Sequence, residues 1–281
     1  MKRVLSVQDL SCVGRCSLTV TLPVISAMGC ECSVLPTAVL STHTGFPHPH
    51  VRSLTEDMEA VCAHWKEIGV EFDTISIGYL SDPAQAATVA HLSSVFGCNV
   101  ILDPVMGDNG TLYSRITEAH IRAMQNLASG AKLLLPNVTE AAALAGLPYR
   151  EDGDEAYYRQ LGQALLELGA GAIVITGVSL SPGKTGFLSL DRDTEYFYQS
   201  KKHPRSFHGT GDLFSAVITA GLTSGMELRE AAALAAGFVE KCISSTPECT
   251  PYGVEFERQL PWLWQKLQSQ RACNTGYCPG F

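Results

Sequence analysis

Short apolar segments alternate with longer amphipathic ones along most of this chain, and this alternation restricts the fold more than any other feature. Asp73–Ile77, Asn99–Leu102 and Ala172–Thr176 are short and largely apolar, which is typical of buried parallel strands. The segments between such strands carry apolar residues at helical spacing and end at glycine, as Asp82–Phe96 ends at Gly97. Repeated strand–helix units predict an α/β fold with a mostly parallel central sheet and helices on both faces.

The remaining segments follow the same pattern until residue 176, after which a hairpin and three helices are predicted. Thr185–Leu190 and Thr194–Gln199 flank a short polar turn and predict a small antiparallel β hairpin. We expect one domain over residues 1–270 and a flexible tail over residues 271–281. The other predicted strands are Arg3–Val7, Ser33–Leu40 and Lys132–Leu135, and the other predicted helices are Cys16–Met28, Thr55–Ile68 (capped by Thr55), Thr117–Ala128, Asp154–Leu168, Asp212–Thr223, Leu228–Ser244 and Glu255–Gln268.

The composition excludes several classes of protein. Twenty Lys and Arg against 28 Asp and Glu give a formal net charge of −8, so the basic excess of a general nucleic-acid binder is missing. Hydrophobic residues make up 46% of the chain and charged residues 17%, which predicts a folded core. No secretory signal and no apolar run of about 18 residues is present. We therefore expect a cytoplasmic protein that binds neither nucleic acid nor membrane.

The strongest functional signal is the motif Gly209-Thr210-Gly211-Asp212. Its two glycines allow a tight loop with inward-pointing N–H groups, and a helix beginning near Asp212 directs its positive dipole end at the same place. A carboxylate beside such an anion site can accept a proton from a substrate hydroxyl while the N–H groups hold a transferred phosphoryl group. The alternative is that Thr210 or Asp212 only caps the helix.

Polar residues also follow three further predicted strands. Asp103 and Asp108 follow one strand, Asn137 and Glu140 follow the next, and Thr176 follows the one after that. Since the carboxyl ends of parallel strands meet at one edge of a sheet, these residues predict a carboxylate-lined nucleotide site compatible with Mg²⁺. Each residue alone is equally compatible with a turn or a cap, and Asn137 with Glu140 resembles a capping box.

One motif is rejected as a phosphate site. Gly183-Lys184-Thr185 matches the end of a P-loop, but five residues rather than four separate Gly177 from Gly183. A strand-like segment follows the motif where a P-loop requires a helix.

Taken together, these motifs resemble those of the pyridoxal kinase family of the ribokinase-like superfamily, over about Arg3–Gln268. The resemblance implies a ribokinase-like fold and an ATP-dependent kinase that phosphorylates the 5′-hydroxyl of a vitamin B6 vitamer, namely pyridoxal, pyridoxamine or pyridoxine. It also implies ADP as the second product, Mg²⁺ as cofactor, a monovalent cation such as K⁺ as a further candidate, and a homodimer. The additional matching segments are Val4–Asp9, His43–Phe46, Gly78–Asp82 and Gly110–Tyr113.

The family pattern assigns a role to each matching residue of this chain. Asp212 is implied as the catalytic base, within a loop formed by Gly209, Thr210 and Gly211 that also binds ATP. The other implied ATP-binding residues are Asp108, Tyr113, Asn137, Glu140 and Thr176; the implied substrate-binding residues are Asp9, Thr44, Tyr79 and Asp212; and the implied metal ligands are Asp103, Asp108 and Glu140.

Two positions depart from the family pattern. Asp9 replaces a serine that contacts the pyridine ring in many members, and Leu135 replaces a threonine beside the phosphate site. A carboxylate at position 9 can favour a protonated ring or an exocyclic amine, so the sequence leaves the preferred vitamer open. Two alternatives also stay open: a hydroxymethylpyrimidine kinase of the same superfamily, and a non-catalytic vitamin-binding protein.

Overall fold

The computed structural model describes the backbone of residues 1–275 and the side chains of residues 1–269. The strands of this part are β1 (Arg3–Ser11), β2 (Glu31–Leu40), β3 (Val51–Ser53), β4 (Thr74–Ile77), β5 (Asn99–Leu102), β6 (Gly107–Asp108), β7 (Thr111–Leu112), β8 (Leu133–Leu134), β9 (Ile173–Val178), β10 (Lys184–Leu190) and β11 (Glu195–Lys201). The α-helices are α1 (Leu18–Ala27), α2 (Thr55–Glu67), α3 (Ala84–Phe96), α4 (Glu118–Ala128), α5 (Val138–Ala145), α6 (Glu155–Glu167), α7 (Thr210–Thr223), α8 (Leu228–Ser245) and α9 (Leu260–Thr275).

Nine of these strands form one sheet in the order β11-β10-β9-β8-β5-β4-β1-β2-β3. The six strands from β9 to β2 are parallel to one another. The antiparallel β10–β11 hairpin extends one edge, and β3 pairs antiparallel with β2 at the other. A second hairpin, β6–β7, lies outside this sheet. The predicted fold class and the predicted β10–β11 hairpin are therefore confirmed.

Both faces of the central strands are buried, because successive side chains point into two separate hydrophobic clusters. Val100 and Leu102 belong to one cluster, and Ile101 between them belongs to the other. Helices α2 to α6 cover the first face, and α1, α7, α8 and α9 cover the second. Burying a side chain of this size stabilises the fold by about 1.5–3 kcal/mol. Burial on both faces explains the unbroken apolar runs at residues 100–102 in β5 and residues 173–175 in β9.

Two predicted boundaries were wrong in ways that matter for the site. Strand β1 does not end at Val7 but continues to Ser11, and its pairing with β2 shifts in register between Gln8 and Leu10. Asp9 therefore lies inside an irregular part of β1, a kind of irregularity that re-aims side chains next to active sites. Helix α7 begins at Thr210 rather than Asp212, so the motif glycine Gly211 is already in its first turn.

Other differences concern helix ends. Leu54 rather than Thr55 precedes the first turn of α2, directly after the unpredicted strand β3. Helix α9 begins at Leu260 rather than Glu255, because a short 3₁₀ turn comes first and Pro261 suits a first helical turn. Of the predicted tail, residues 271–275 continue α9, and residues 276–281 lie outside the described residues. Lys184 begins strand β10, which confirms the rejection of a P-loop there. Among the described helices, none has the length and apolar character needed to cross a membrane.

Candidate active site

The strand order reverses between β1 and β4, and in an open α/β sheet the ligand crevice is expected at the carboxyl ends of the two strands that flank such a reversal. Ligands of open α/β sheets bind at such reversal points. Asp9 lies near the end of β1 and is only 4% exposed, and Tyr79 follows β4 and is half-buried. Burial and the charge of Asp9 both raise the pKa of Tyr79. The two predicted substrate-binding residues are thus close neighbours.

The carboxylate of Asp9 is held by two hydroxyl groups. Ser17 Oγ donates to Asp9 Oδ1 at 2.5 Å, and Ser11 Oγ donates to Asp9 Oδ2 at 3.1 Å. Burial raises the pKa of Asp9, whereas the bonds from Ser17 and Ser11 act in the opposite direction. A carboxylate oriented in this way is a strong acceptor for an amine or a protonated ring nitrogen of a ligand.

Asp212 lies in the first turn of α7, where unpaired N–H groups of the helix start are available to an anion. Gly209 precedes this turn with a φ of 87°, a left-handed conformation that glycine adopts without cost. A Cβ atom at Gly209 would collide with the carbonyl oxygen of Arg15. Burial raises the pKa of Asp212 to about 6, with a smaller contribution from the charge of Asp9. A carboxylate with this pKa is ionised at neutral pH and is suited to accept a proton.

Asp103 and Glu140 form an acidic cluster with Asp212. Burial, followed by the charges of Glu140 and Asp212, raises the pKa of Asp103 well above its usual value. Burial also raises the pKa of Glu140 to about 7. A divalent cation would relieve this repulsion, so the donor set fits Mg²⁺. No three His, Cys, Asp or Glu side chains within the described residues are grouped so that they could enclose a metal by themselves. Mg²⁺ is usually bound by one or two carboxylates together with phosphates and water.

Glu140 and Asn137 form the capping box that the sequence predicted as the alternative to a nucleotide-binding role. Asn137 Oδ1 accepts from the Glu140 N–H at 3.0 Å, and Glu140 Oε2 accepts from the Asn137 N–H at 2.9 Å. Glu140 Oε1 also accepts from the Met106 N–H at 3.0 Å, and Asn137 Nδ2 donates to the Gly107 carbonyl at 2.7 Å. The pair therefore fixes the loop after β5 against α5, whatever else it binds.

Replacing Glu140 with Gln is expected to lower the free energy of unfolding by about 1–3 kcal/mol, because one oxygen acceptor becomes an NH₂ group that faces a buried N–H donor. We also expect a higher Mg²⁺ requirement, since a neutral amide is a poorer partner for this cation. Denaturant unfolding and a Mg²⁺ titration of turnover measure the two effects. The matched control is Glu118→Gln on the exposed surface of α4, which should change neither. An unchanged Mg²⁺ titration would leave Glu140 with its structural role alone.

The remaining predicted nucleotide residues surround this cluster. Burial and the charges of Glu140 and Asp108 raise the pKa of Tyr113, so its hydroxyl lies on the same side of the molecule as these acids. Asp108 is exposed, and its carboxylate accepts from the backbone and side chain of Asn109. Thr176 is half-buried and pairs with Asn137 in an isolated parallel bridge.

Thr44 is exposed beside a buried histidine that connects several loops of the site. The ring nitrogen Nε2 of His43 lies 3.0 Å from the Pro251 carbonyl, and Nδ1 accepts from the Gly45 N–H at 3.0 Å. The ring also packs against His208, with centroids 4.6 Å apart. The predicted substrate loop is thereby attached to the segment that leads into Gly209.

Three site residues were missed by the sequence analysis. Burial and the charges of Asp212 and Asp9 raise the pKa of Cys16 to about 12, so its thiol lies near both carboxylates. Ser17 donates a hydrogen bond to Asp9 and lowers the pKa of Asp212 through its backbone N–H. The positive charge of Arg115 partly offsets the rise in the pKa of Tyr79, so this arginine lies near the crevice. None of the three belongs to a recognisable local motif, and only the fold brings them to the site.

Comparison with known proteins extends these observations. Residues 21–254 match the family model described as phosphomethylpyrimidine kinase. A hydroxymethylpyrimidine/phosphomethylpyrimidine kinase of Rhizobium meliloti is 29% identical over 249 residues, which cover 86% of this chain and 90% of the relative. A Bacteroides thetaiotaomicron protein, crystallised in an orthorhombic form with pyridoxal, is 33% identical with a TM-score of 0.87 and covers 95% and 96% of the two chains. Pyridoxal kinase of Lactobacillus plantarum is 31% identical with a TM-score of 0.88, covering 97% and 98%. The resemblance to ribokinase-like pyridoxal kinases is confirmed.

Proposed function

The chain belongs to the phosphomethylpyrimidine kinase family, and we propose on this premise that it transfers the γ-phosphoryl group of ATP to the 5′-hydroxyl of a vitamin B6 vitamer. The family membership makes it a phosphotransferase with an alcohol group as acceptor. The choice of a B6 vitamer is supported by the similarity to Lactobacillus plantarum pyridoxal kinase and to the Bacteroides protein crystallised with pyridoxal. The products are the vitamer 5′-phosphate and ADP.

The observation that carries this proposal is the placement of Asp212. Its carboxylate has a pKa of about 6 and lies beside unpaired N–H groups at the start of α7. In the proposed step Asp212 takes the proton of the acceptor's 5′-hydroxyl while the oxygen of that hydroxyl forms a bond to the γ-phosphorus of ATP. The bond from the γ-phosphorus to the oxygen that bridges it to the β-phosphate breaks, and ADP leaves. The N–H groups of Thr210 and Gly211 hold the transferring group, so the protein contributes positioning and charge stabilisation.

The acidic cluster fits the metal part of this reaction. Asp103 and Glu140 would hold Mg²⁺ directly or through its waters, with Asp108 at the exposed side of the loop. Bound Mg²⁺ neutralises charge on the phosphates. We assign nucleotide contacts to Asn137, Thr176 and Tyr113, and a monovalent cation such as K⁺ is a further candidate cofactor.

Rapid-quench single turnover with radiolabelled ATP tests the proposal, with pyridoxal, pyridoxamine, pyridoxine and hydroxymethylpyrimidine as separate acceptors. We expect one vitamer 5′-phosphate for each ADP formed, and ADP formation only when acceptor is present. ADP formation without acceptor would contradict the proposed transfer. Tight acceptor binding with no ADP at all would instead identify a non-catalytic vitamin-binding protein.

A hydroxymethylpyrimidine kinase is the second candidate, and Asp9 is the observation that favours it. The pyrimidine substrate carries an amino group, and Asp9 presents an oriented, buried carboxylate at the substrate end of the crevice. The family description and the Rhizobium relative point to the same substrate class. Pyridoxamine offers Asp9 an amine as well, so both candidates predict that Asp9 selects amine-bearing acceptors.

Replacing Asp9 with Ser is expected to lower kcat/KM for pyridoxamine and aminopyrimidine about tenfold to a hundredfold relative to pyridoxal, since a charge-assisted hydrogen bond contributes about 1.5–3 kcal/mol. Steady-state kinetics with all four acceptors measures the ratio. The control is Asp73→Ser, which makes the same replacement just before β4 at the opposite edge of the sheet. Equal proportional changes for every acceptor would assign Asp9 a structural role only.

A further inference from the structure

Ser17 adopts a backbone conformation that glycine normally fills. Its φ of 49° and ψ of −131° are those of the first central residue of a type II′ turn, where a Cβ atom is unfavourable. In the described part of the chain, the other non-glycine residues with positive φ are His48 and Asn109, which are both exposed, whereas Ser17 is buried with 8% exposure. Strained residues of this kind cluster at functional sites and persist because the surroundings require them.

Each polar group of Ser17 has a partner. Its hydroxyl donates to Asp9 Oδ1 at 2.5 Å, and its backbone N–H lies close enough to the carboxylate of Asp212 to lower the pKa of that group. Its carbonyl accepts from the N–H groups of Val20 and Thr21 at 3.0 and 2.9 Å, in the first turn of α1. One residue thus bonds to the substrate-side carboxylate and to the first turn of α1, and its backbone N–H lies near the carboxylate of Asp212.

A simple capping role does not account for the serine side chain. The hydroxyl makes no capping bond to α1. Glycine would keep the N–H and carbonyl bonds and would remove the strain, so the bond to Asp9 is the one interaction that requires serine. Ser11, the second donor to Asp9, bonds at the longer distance of 3.1 Å.

We propose that Ser17 is a positioning residue that holds the Asp9 carboxylate at a fixed position relative to the Asp212 carboxylate. An acceptor whose amine binds Asp9 then presents its hydroxyl to the catalytic base. This inference rests on the proposed kinase function. It adds that the Ser17 hydroxyl, through Asp9, determines which acceptor is preferred. Because the hydroxyl acts through Asp9, its loss affects amine-bearing acceptors and spares those without an amine.

The test compares Ser17→Gly and Ser17→Ala with the unaltered protein, by kcat/KM for pyridoxamine and pyridoxal and by thermal unfolding. Both variants lack the hydroxyl, and we expect both to lower the pyridoxamine-to-pyridoxal ratio about tenfold. The Tm of Ser17→Gly should exceed that of Ser17→Ala by several degrees, since only glycine relieves the strained φ. His48→Gly on an exposed loop is the matched control for strain relief, with no expected change in the ratio.

A double variant separates action through Asp9 from a general disturbance. In an Asp9→Ser background, adding Ser17→Gly should leave the acceptor ratio unchanged, because the hydroxyl has lost its partner. Equal losses for both acceptors in the single variants, or an additive effect in the double variant, would overturn the inference.

Equilibrium binding distinguishes failure of this inference from failure of the proposed function. Absorbance titration of pyridoxamine and pyridoxal without ATP should show about tenfold weaker pyridoxamine binding in Ser17→Gly relative to pyridoxal. An unchanged binding ratio overturns the role of Ser17 even where turnover is normal. If the unaltered protein binds both vitamers but phosphorylates neither, the proposed kinase function is overturned instead. The ratio of pyridoxamine to pyridoxal affinity in Ser17→Gly then still tests the role of Ser17.

Discussion

Replacing Asp212 with Asn is expected to lower kcat by about 10²–10⁴-fold, because an amide cannot accept the proton of the acceptor hydroxyl. The loop keeps its shape, since Gly209 and the first turn of α7 are unchanged and an amide is the same size as the carboxylate. Nucleotide affinity, measured by calorimetry, should therefore stay within about threefold. Single-turnover kinetics measures the chemical step directly.

The pH profile provides an independent check on the same residue. Asp212 must be ionised to act, so kcat/KM should fall as the pH drops through about 6, where burial places its pKa. The control Asp193→Asn, on the exposed β10–β11 turn, should retain both the rate and this acid limb. If Asp212→Asn keeps more than about a tenth of the original kcat, Asp212 is not the base.

Replacing Gly209 with Ala is expected to lower kcat/KM by about a hundredfold or more. The φ of 87° strains any residue with a Cβ atom, and this atom would collide with the Arg15 carbonyl oxygen. The loop must then move away from the segment before α1, and a displacement of about 1 Å at a reacting centre can cost about a hundredfold in rate. Steady-state kinetics and thermal unfolding report the two consequences.

Gly225→Ala is the matched control for this variant. Gly225 has a φ of 90° after α7, and no atom lies within 4 Å of a Cβ built there. The control therefore carries the backbone strain without the collision, and it should lose about 1–2 kcal/mol of stability with unchanged kcat/KM. Similar kinetics for the two alanine variants would show that the contact between Gly209 and Arg15 does not position the catalytic loop.

The sequence predicted those strands, helix caps and motifs that depend on residues close together along the chain. The segment Asn99–Leu102 predicted strand β5 with its observed bounds, because three successive apolar residues are typical of a strand that is buried on both faces. Asn137 and Glu140 formed the capping box that their spacing indicated, since its bonds join residues three apart. The placement of Asp103 and Glu140 at one sheet edge followed from parallel topology, whereas Asp212 was identified from its own Gly-Thr-Gly-Asp motif.

The tertiary structure alone decided how these pieces meet. The extension of β1 to Ser11 depends on pairing with β2, which no local pattern of the first strand contains. The conformation of Ser17, its bond to Asp9 and its proximity to Asp212 arise because the segment before α1 packs against the loop at Gly209. Periodicity, caps and turn residues act over a few positions and can be read along the chain. Contacts between distant segments, and the burial that raises the pKa of Asp212, exist only once the sheet has brought those segments together.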